Sequence, residues 1–313
     1  MSTAIQDILR NDCKRLEAAL ELDSGSARIE VQCLLQAALK VNRAWLFTHP
    51  EQPLGAGQLA RYTAFLERRL GGEPIAYLLG EREFYGLTFR VSPATLIPRP
   101  ETELLVELAL QRIPPPPPQP SDETPSHSTR LSKNDNQVSG YPASGRGSQF
   151  RVLDLGTGSG AIALSIAHAR PDAEVVAVDA SAAALEVAQF NTQQLGLGNV
   201  RLLHSDWFGA LRGERFDMIV SNPPYIAAAD AHLTRGDVRF EPSSALASGA
   251  DGLDDIRRIC ARAKAHLNAS GWLLFEHGHD QAAPVRALLQ QSGFEGIFSA
   301  RDLSGIERVS GGC

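Results

Sequence analysis

The chain has little cysteine. Its four cysteines, Cys13, Cys33, Cys260 and Cys313, are scattered over 313 residues with no CxxC and no pairing pattern. That excludes a disulfide scaffold or a cysteine zinc ribbon and suits a reduced, cytoplasmic compartment. Positive charge is not in excess either. Thirty Lys and Arg face 36 Asp and Glu, a net charge of −6, which argues against a general polyanion binder while leaving room for a local basic groove. Long apolar runs are missing as well. The first twenty residues mix charged positions with Ile5, Ile8, Leu9 and Leu16 at helical spacing, and no run approaches a signal h-region or a membrane span. A soluble, cytoplasmic protein is expected. What is abundant is core material: 43% of residues are hydrophobic, enough for one large domain and a small one.

The pattern changes along the chain. Residues 1–73 read as a small helical domain, with Ile29, Leu34, Leu35, Ala38 and Leu39 on one helix and Leu59, Tyr62, Phe65, Leu66 and Leu70 on another. Gly71-Gly72 is a helix stop. Residues 1–75 hold nine basic and nine acidic side chains, a balanced surface better suited to a protein partner than to DNA. Residues 74–100 form a connection in which Phe84 to Val91 reads as a hairpin turning near Gly86. Pro98 and Pro100 lead into a linker helix, 101–113. Residues 114–149 open with five prolines, and half of them are Pro, Ser or Gly; this composition reads as a disordered spacer. From Phe150 to residue 313, strand and helix alternate. Strands are expected at 151–155, 174–179, 200–204, 216–221 and 272–276. Helices are expected at 161–169, 182–195, 253–267 and 282–291, and 294–301 with 306–311 should close as an antiparallel hairpin. This is an α/β, doubly wound sheet.

Two motifs carry chemistry. The first is Asp154-Leu155-Gly156-Thr157-Gly158-Ser159-Gly160, which ends one strand and opens a helix. Glycines permit the tight turn and close approach of backbone to ligand. The loop is G-x-G-x-G preceded by an acid, where a dinucleotide site would want G-x-G-x-x-G. An acid there would repel pyrophosphate but suits a ligand bearing an ammonium and a sulfonium. Asp179, 25 residues after Asp154 at the end of the next strand, offers a carboxylate to two ribose hydroxyls. Asp206-Trp207 follows the third strand, where an acid and a large ring would bracket an adenine. In order, these point to S-adenosylmethionine. The second motif is Asn222-Pro223-Pro224-Tyr225. Two prolines stop the preceding apolar strand and leave Asn and Tyr at its carboxyl end, the edge of such a sheet where ligands bind. The Asn222 side chain, beside the Pro223 carbonyl, is suited to gripping the NH2 of a planar amide or amino group. Glu276-His277-Gly278-His279-Asp280 looks like a metal cluster on paper, but two histidines two apart on a strand would not face one ion, and no metal is expected.

These residues resemble the release factor glutamine methyltransferases. The likeness rests on Glu73 to Tyr85 with Ser92 to Glu103, on Asp154 to Leu164, and on Ser205-Asp206-Trp207-Phe208 with Ser221 to Tyr225. It spans all but 114–149, a stretch the family replaces with a short connection. It implies a class I S-adenosylmethionine-dependent methyltransferase sheet with a small N-terminal helical domain and a connecting β-hairpin. It implies N5-methylation of the glutamine in the Gly-Gly-Gln motif of peptide chain release factors 1 and 2, by a monomer with no direct nucleic-acid or membrane partner. Gly156, Thr157, Gly158, Ser159, Gly160, Asp179, Trp207 and Asn222 would bind the cofactor. Asn222, Pro223, Pro224 and Tyr225 would hold the glutamine, with Asn222, Pro223 and Tyr225 catalytic. Asn-Pro-Pro-Tyr is also found in adenine-N6 methyltransferases of DNA, so that activity competes, as does a sensor of S-adenosylmethionine that has lost catalysis. The neutral helical region weighs against the first, and the intact Asn222 and Tyr225 against the second.

Overall fold

A computed structural model describes residues 4–115 and 149–313. The expected spacer at 114–149 therefore lies, for residues 116–148, outside the described residues. The helical region is built from α1 (Ile5–Leu20), α2 (Ser24–Leu39), α3 (Arg43–Thr48) and α4 (Ala56–Leu70). Asp23 starts α2 by accepting from the Gly25 and Ser26 amides at 2.9 and 3.0 Å, and Asn42 starts α3 through the Trp45 amide at 2.9 Å; both satisfy donors that a first turn leaves free. Ile5, Leu16, Val31, Leu34, Leu35, Tyr62 and Leu66 form its buried core. Tyr62 buries its hydroxyl there by donating to Asp12 at 2.8 Å. A short helix absent from the sequence reading, α5 (Ile75–Leu79), follows Pro74. Five residues are too few for an apolar period to stand out.

The hairpin is β1 (Glu81–Phe84) and β2 (Leu87–Arg90), paired antiparallel. Tyr85 and Gly86 make its turn, both at positive φ (52° and 74°), the pattern whose twist matches the flanking strands. Phe84 and Phe89 bury against the larger domain's core, so the hairpin is fixed to it. After a 3-10 turn at Pro100–Thr102 comes α6 (Glu103–Arg112).

The larger domain runs β3 (Arg151–Leu155), α7 (Ala161–Ala169), β4 (Glu174–Asp179), α8 (Ala182–Gln194), β5 (Val200–His204), β6 (Phe216–Ser221), α9 (Asp254–Ala263), β7 (Leu267–Glu276), α10 (Ala282–Gln291), β8 (Phe298–Arg301) and β9 (Glu307–Gly312). Its sheet has the order β5-β4-β3-β6-β7-β9-β8. The first five strands are parallel, and β9 lies antiparallel between β7 and β8. Alternate residues feed two cores. Val152, Val175, Ala177 and Val220 pack under α6 and α7, while Leu153, Leu155, Val176, Val178 and Ile219 pack under α9 and α10. Burial on both faces is why these strands are continuous apolar runs.

Two boundaries differ from expectation. α9 ends at Ala263 and β7 already begins at Leu267, where a helix was expected to finish. The first half of β7, Asn268 to Ser270, is exposed and so carries no apolar pattern. β8 starts at Phe298, and Phe294 instead fills the α9–α10 core ahead of it. No helix among the described residues is long and apolar enough to cross a membrane.

Candidate active site

Chain order reverses at β3. From there the chain winds outward through β4 and β5, then returns to place β6 on the other side of β3. Such a switch point opens a crevice at the carboxyl ends of the two strands. Register makes this concrete: Leu155 lies opposite Ser221, and the Ser221 hydroxyl donates to the Leu155 carbonyl at 2.7 Å. The glycine loop and the Asn-Pro-Pro-Tyr segment therefore leave the sheet side by side. Between them is a cavity of about 380 Å³.

Gly156, Gly158 and Gly160 all have positive φ, at 73°, 57° and 86°, a conformation costing an L side chain about 1–2 kcal/mol. Their duties differ. Gly156, Thr157, Gly158 and Ser159 line the cavity. Gly160 does not; it caps α7, and a Cβ there would sit 2.9 Å from the Leu164 side chain. Asp154 is turned inward and fully buried, its Oδ2 accepting from the Thr157 hydroxyl at 2.7 Å. Burial, eased by that bond, raises its carboxyl to about 7. It braces the loop from beneath rather than facing the cavity.

Asp179 lines the cavity at the end of β4. Its Oδ2 accepts from the Gly158 amide and its Oδ1 from the Ser181 amide, each at 2.8 Å. A carboxylate has about four lone-pair positions, so it ties down the loop with acceptor capacity left for ligand hydroxyls. Trp207 also lines the cavity, at φ 49°, with its ring edge about where a Cβ on Gly156 would make contact, at 3.5 Å. The indole would leave room for a side chain at 156, so it is the backbone conformation there that calls for glycine. Asp206 is held at the rim by Arg258 through both carboxylate oxygens, at 2.8 and 3.0 Å.

Asn222 and Pro224 line the opposite wall; Pro223 and Tyr225 sit behind it. Asn222 Nδ2 donates to Thr102 Oγ1 at 3.3 Å, while its Oδ1 is buried without a partner. Tyr225 donates its hydroxyl to Glu276 Oε1 at 3.2 Å and accepts from Gln281 Nε2 on its carbonyl at 2.9 Å. Burial and the Glu276 charge push the Tyr225 phenol far above its ordinary range. Glu276 is fully buried at the end of β7, and burial raises its carboxyl to about 7.

The outer wall comes from the segment that leads into α6. Ala94, Thr95, Leu96 and Pro98 face the cavity. Arg99 pairs with the buried Glu241, which also accepts from the Ile97 amide at 3.0 Å. Glu103 turns away and caps the hairpin through the Tyr85 amide at 2.9 Å. Thr102, Glu241, Arg258 and Glu276 were missed as site residues, because each is far in sequence from both motifs. The dense Ile97-Pro98-Arg99-Pro100-Glu101-Thr102 wording was the available signal for Thr102. His277 engages both ring nitrogens, with the Gly278 carbonyl at 2.9 Å and Ser310 at 2.8 Å, and among the described residues no group of His, Cys, Asp and Glu is arranged to hold a metal.

Residues 7–80 match the PrmC N-terminal domain and residues 143–241 the Methyltransferase small domain. Among solved structures, the hMettl16 catalytic domain in complex with MAT2A 3'UTR hairpin 6 is similar in fold, with a TM-score of 0.51, 15% identity, and coverage of 79% of this chain and 81% of that one. Curated relatives named release factor glutamine methyltransferase are much nearer. The Xylella fastidiosa (strain Temecula1) protein is 49% identical, covering 91% of this chain and 92% of its own length. The Pseudomonas aeruginosa protein is 46% identical, covering 95% and 96%. The Escherichia coli (strain K12) protein is 42% identical, covering 97% of each. Identity of this level along both the helical region and the sheet, with both motifs meeting at one cavity, places the chain in the release factor glutamine methyltransferase family of methyltransferases.

Proposed function

We propose that this protein transfers a methyl group from S-adenosylmethionine to the side-chain amide N5 of the glutamine in the Gly-Gly-Gln motif of peptide chain release factors 1 and 2, working as a cytoplasmic monomer and modulating translation termination. The observation that carries this reading is Asn222 Oδ1, a buried acceptor with no partner of its own, on a cavity whose facing wall is the glycine loop. A buried acceptor left open is costly unless a ligand donor fills it.

Gly156 to Ser159, Asp179 and Trp207 fit the cofactor: a loop where backbone alone meets the ligand, a carboxylate for hydroxyls, and a ring for a base. Gly160 starts the helix behind them. When bound, S-adenosylmethionine supplies a methyl group on a sulfonium, an already activated leaving group. The difficulty lies on the other side, because a glutamine amide nitrogen has its lone pair delocalised into its carbonyl. Asn222 Oδ1 and the Pro223 carbonyl accept the two amide hydrogens, fixing the nitrogen in line and favouring its pyramidalisation. Pro224 and Tyr225 support the amide face. Residues 1–73 grip the body of the release factor, 74–100 and 101–113 connect, and 150–313 carry the chemistry.

The test is methyl transfer from labelled S-adenosylmethionine in three parallel reactions: release factor, release factor with the Gly-Gly-Gln glutamine replaced, and adenine-containing DNA. Label in the first alone is expected. Label in the DNA, or equally in both release factors, would overturn the substrate assignment.

A further inference from the structure

Asn191 of α8 is fully buried and uses its whole side-chain amide. Its Oδ1 accepts from the Arg90 amide at 2.8 Å. Its Nδ2 donates to the Arg90 carbonyl at 3.0 Å and to the Ser159 carbonyl at 2.8 Å. One N–H donor and two carbonyl acceptors permit a single orientation of the group, so its partners fix which way it points.

Those partners lead to two different parts of the cavity lining. Arg90 ends β2, and the chain begins to line the cavity at Ala94, four residues later. Ser159 belongs to the glycine loop, almost fully buried and lining the cavity from another side. The first half of that loop is tied to β4: the Gly156 and Thr157 amides donate to the Val178 carbonyl at 2.9 Å each, and the Gly158 amide donates to Asp179 at 2.8 Å. Its second half is tied to α8 through Asn191. The helix lies close there, since a Cβ on Gly160 would be 3.5 Å from that of Ala188, one turn before Asn191. Toward the hairpin, the amide takes both backbone groups of Arg90 as a neighbouring strand would, and Gln194 adds a bond to the Thr88 carbonyl at 3.4 Å. An anchor for the hairpin needs only Arg90. The bond to Ser159 reaches the loop instead, and it is what separates Asn191 from a plain structural tie.

We propose that Asn191 is a positioning residue for S-adenosylmethionine. By holding the Ser159 carbonyl from α8, it keeps the second half of the glycine loop in its binding shape before the cofactor arrives, and it sets the spacing between that loop and the wall at 94–98. The inference rests on the reading of the cavity as a site for S-adenosylmethionine; the hold on the loop is a property of the free protein. Without that hold the loop must be ordered at the moment of binding, which weakens affinity and leaves the chemistry of a saturated enzyme unchanged.

The experiment compares three full-length variants with wild type. Asn191→Asp keeps the shape and the acceptor for Arg90 but loses both donated hydrogens. Asn191→Ala removes the amide without setting a charge against two carbonyls, and serves should the aspartate variant not fold. Asn199→Asp is the control. Asn199 Nδ2 donates to the Ala167, Arg170 and Ala173 carbonyls at 3.1, 3.2 and 3.1 Å, between the end of α7 and the start of β4, at the edge of the sheet opposite the cavity. It loses comparable bonds with no link to the loop. Calorimetric titration with S-adenosylmethionine should show Kd raised in the Asn191 variants by roughly tenfold for each loop residue left to be ordered on binding, and unchanged in Asn199→Asp. Hydrogen exchange of the ligand-free protein should quicken at the Gly158 and Gly160 amides in the Asn191 variants and not in the control. At saturating cofactor, kcat and KM for release factor should stay close to wild type. Wild-type Kd and exchange in a folded Asn191 variant, or an equal rise in Asn199→Asp at a matched loss of melting temperature, would overturn the proposal. So would a lowered kcat at saturating cofactor with Kd unchanged. If the wild-type protein binds no S-adenosylmethionine, the cofactor reading fails, and the exchange arm still decides whether Asn191 holds the loop.

Discussion

Replacing Asn222 by alanine should cut turnover by two to three orders of magnitude, roughly the loss of one preorganised hydrogen bond, while leaving the protein as stable as before, or more so. The magnitude follows from two atoms. Nδ2 makes one hydrogen bond, to Thr102 at 3.3 Å; a bond of this kind contributes a net ~0.5–1.5 kcal/mol. Oδ1 is buried with no partner, a desolvation penalty of ~1–3 kcal/mol carried by the folded state. Truncation removes both, so the balance favours the variant by about 1 kcal/mol. For a domain of 150–250 residues that is a rise in Tm of roughly 2–4 °C. On the proposed mechanism the same truncation removes the acceptor that holds the substrate amide, a loss of roughly 10²–10³ in kcat. The assay pairs thermal unfolding of the ligand-free protein with single-turnover methyl transfer to release factor. A Tm lowered by several degrees would mean that Asn222 is a structural residue and the orphaned oxygen a misreading. A kcat within tenfold of wild type would remove Asn222 from the chemistry.

Two other substitutions probe what supports the site. Arg69 is almost fully buried and binds Glu30 at 2.7 and 2.9 Å, Asp237 at 2.8 Å, and the Gly72 and Glu73 carbonyls at 3.2 and 3.1 Å. Arg69→Met should lower unfolding free energy by about 3 kcal/mol, the lower end for a broken buried pair because Glu30 and Asp237 keep some solvent; an unchanged urea midpoint would refute this. Asp154→Asn should change the pH dependence of stability. The folded carboxyl is raised from 3.8 to about 7, so the folded state prefers the protonated form, and the stability it lends is present below pH 4 and lost as pH rises toward 7. Asn keeps the acceptor for Thr157 without that loss, and the variant should gain on the order of a few kcal/mol over wild type at pH 8 relative to pH 4; equal gains at both pH values would contradict the assignment.

The parallel strands were legible because burial on both faces leaves an apolar run that needs no context, and the two motifs because glycine and proline constrain backbone whatever surrounds them. The residues that escaped are those whose importance is purely tertiary. Thr102 and Glu276 are 174 positions apart and reach one site only through the motif after β6, where Thr102 meets Asn222 and Glu276 meets Tyr225. Glu276 read as the first letter of a histidine-rich run, and nothing local distinguishes an acid buried behind a tyrosine from one in solvent. α5 was hidden by its length, and the start of β7 by its exposed polar residues. Asp154 was read as a ligand-facing acid from its place next to the loop; alternation along β3 instead directs it beneath, where Thr157 holds it.

The distribution of unsatisfied groups is itself an argument about where this fold keeps its function. Five buried side-chain atoms lack a hydrogen-bond partner among the described residues, and three of them, Asp154 Oδ1, Asn222 Oδ1 and Glu276 Oε2, lie at the carboxyl ends of β3, β6 and β7. Adjacent strands in the sheet order β3-β6-β7 thus each end in an oxygen that folding alone leaves open. A core selected only for stability would replace such groups, since apolar isosteres remove the penalty. Their clustering at a topological switch point, behind the glycine loop on one side of the cavity and on and behind the facing wall on the other, marks the place where stability is given up for polarity. The loop beyond the motif adds a second link. Asp237 and Arg239 reach back to Arg69 and to the Gly71 carbonyl, at 2.8 and 3.0 Å, while Glu241 in the same loop holds Ile97 and Arg99 at the cavity's outer wall. A partner that shifts α4 would pull on a loop anchored to the segment closing over Asn222. The helical region and the cavity's outer wall are in this way joined by ion pairs and by a small apolar cluster, in which Ala76, Tyr77, Val91 and Ile97 pack with Phe240 of the same loop.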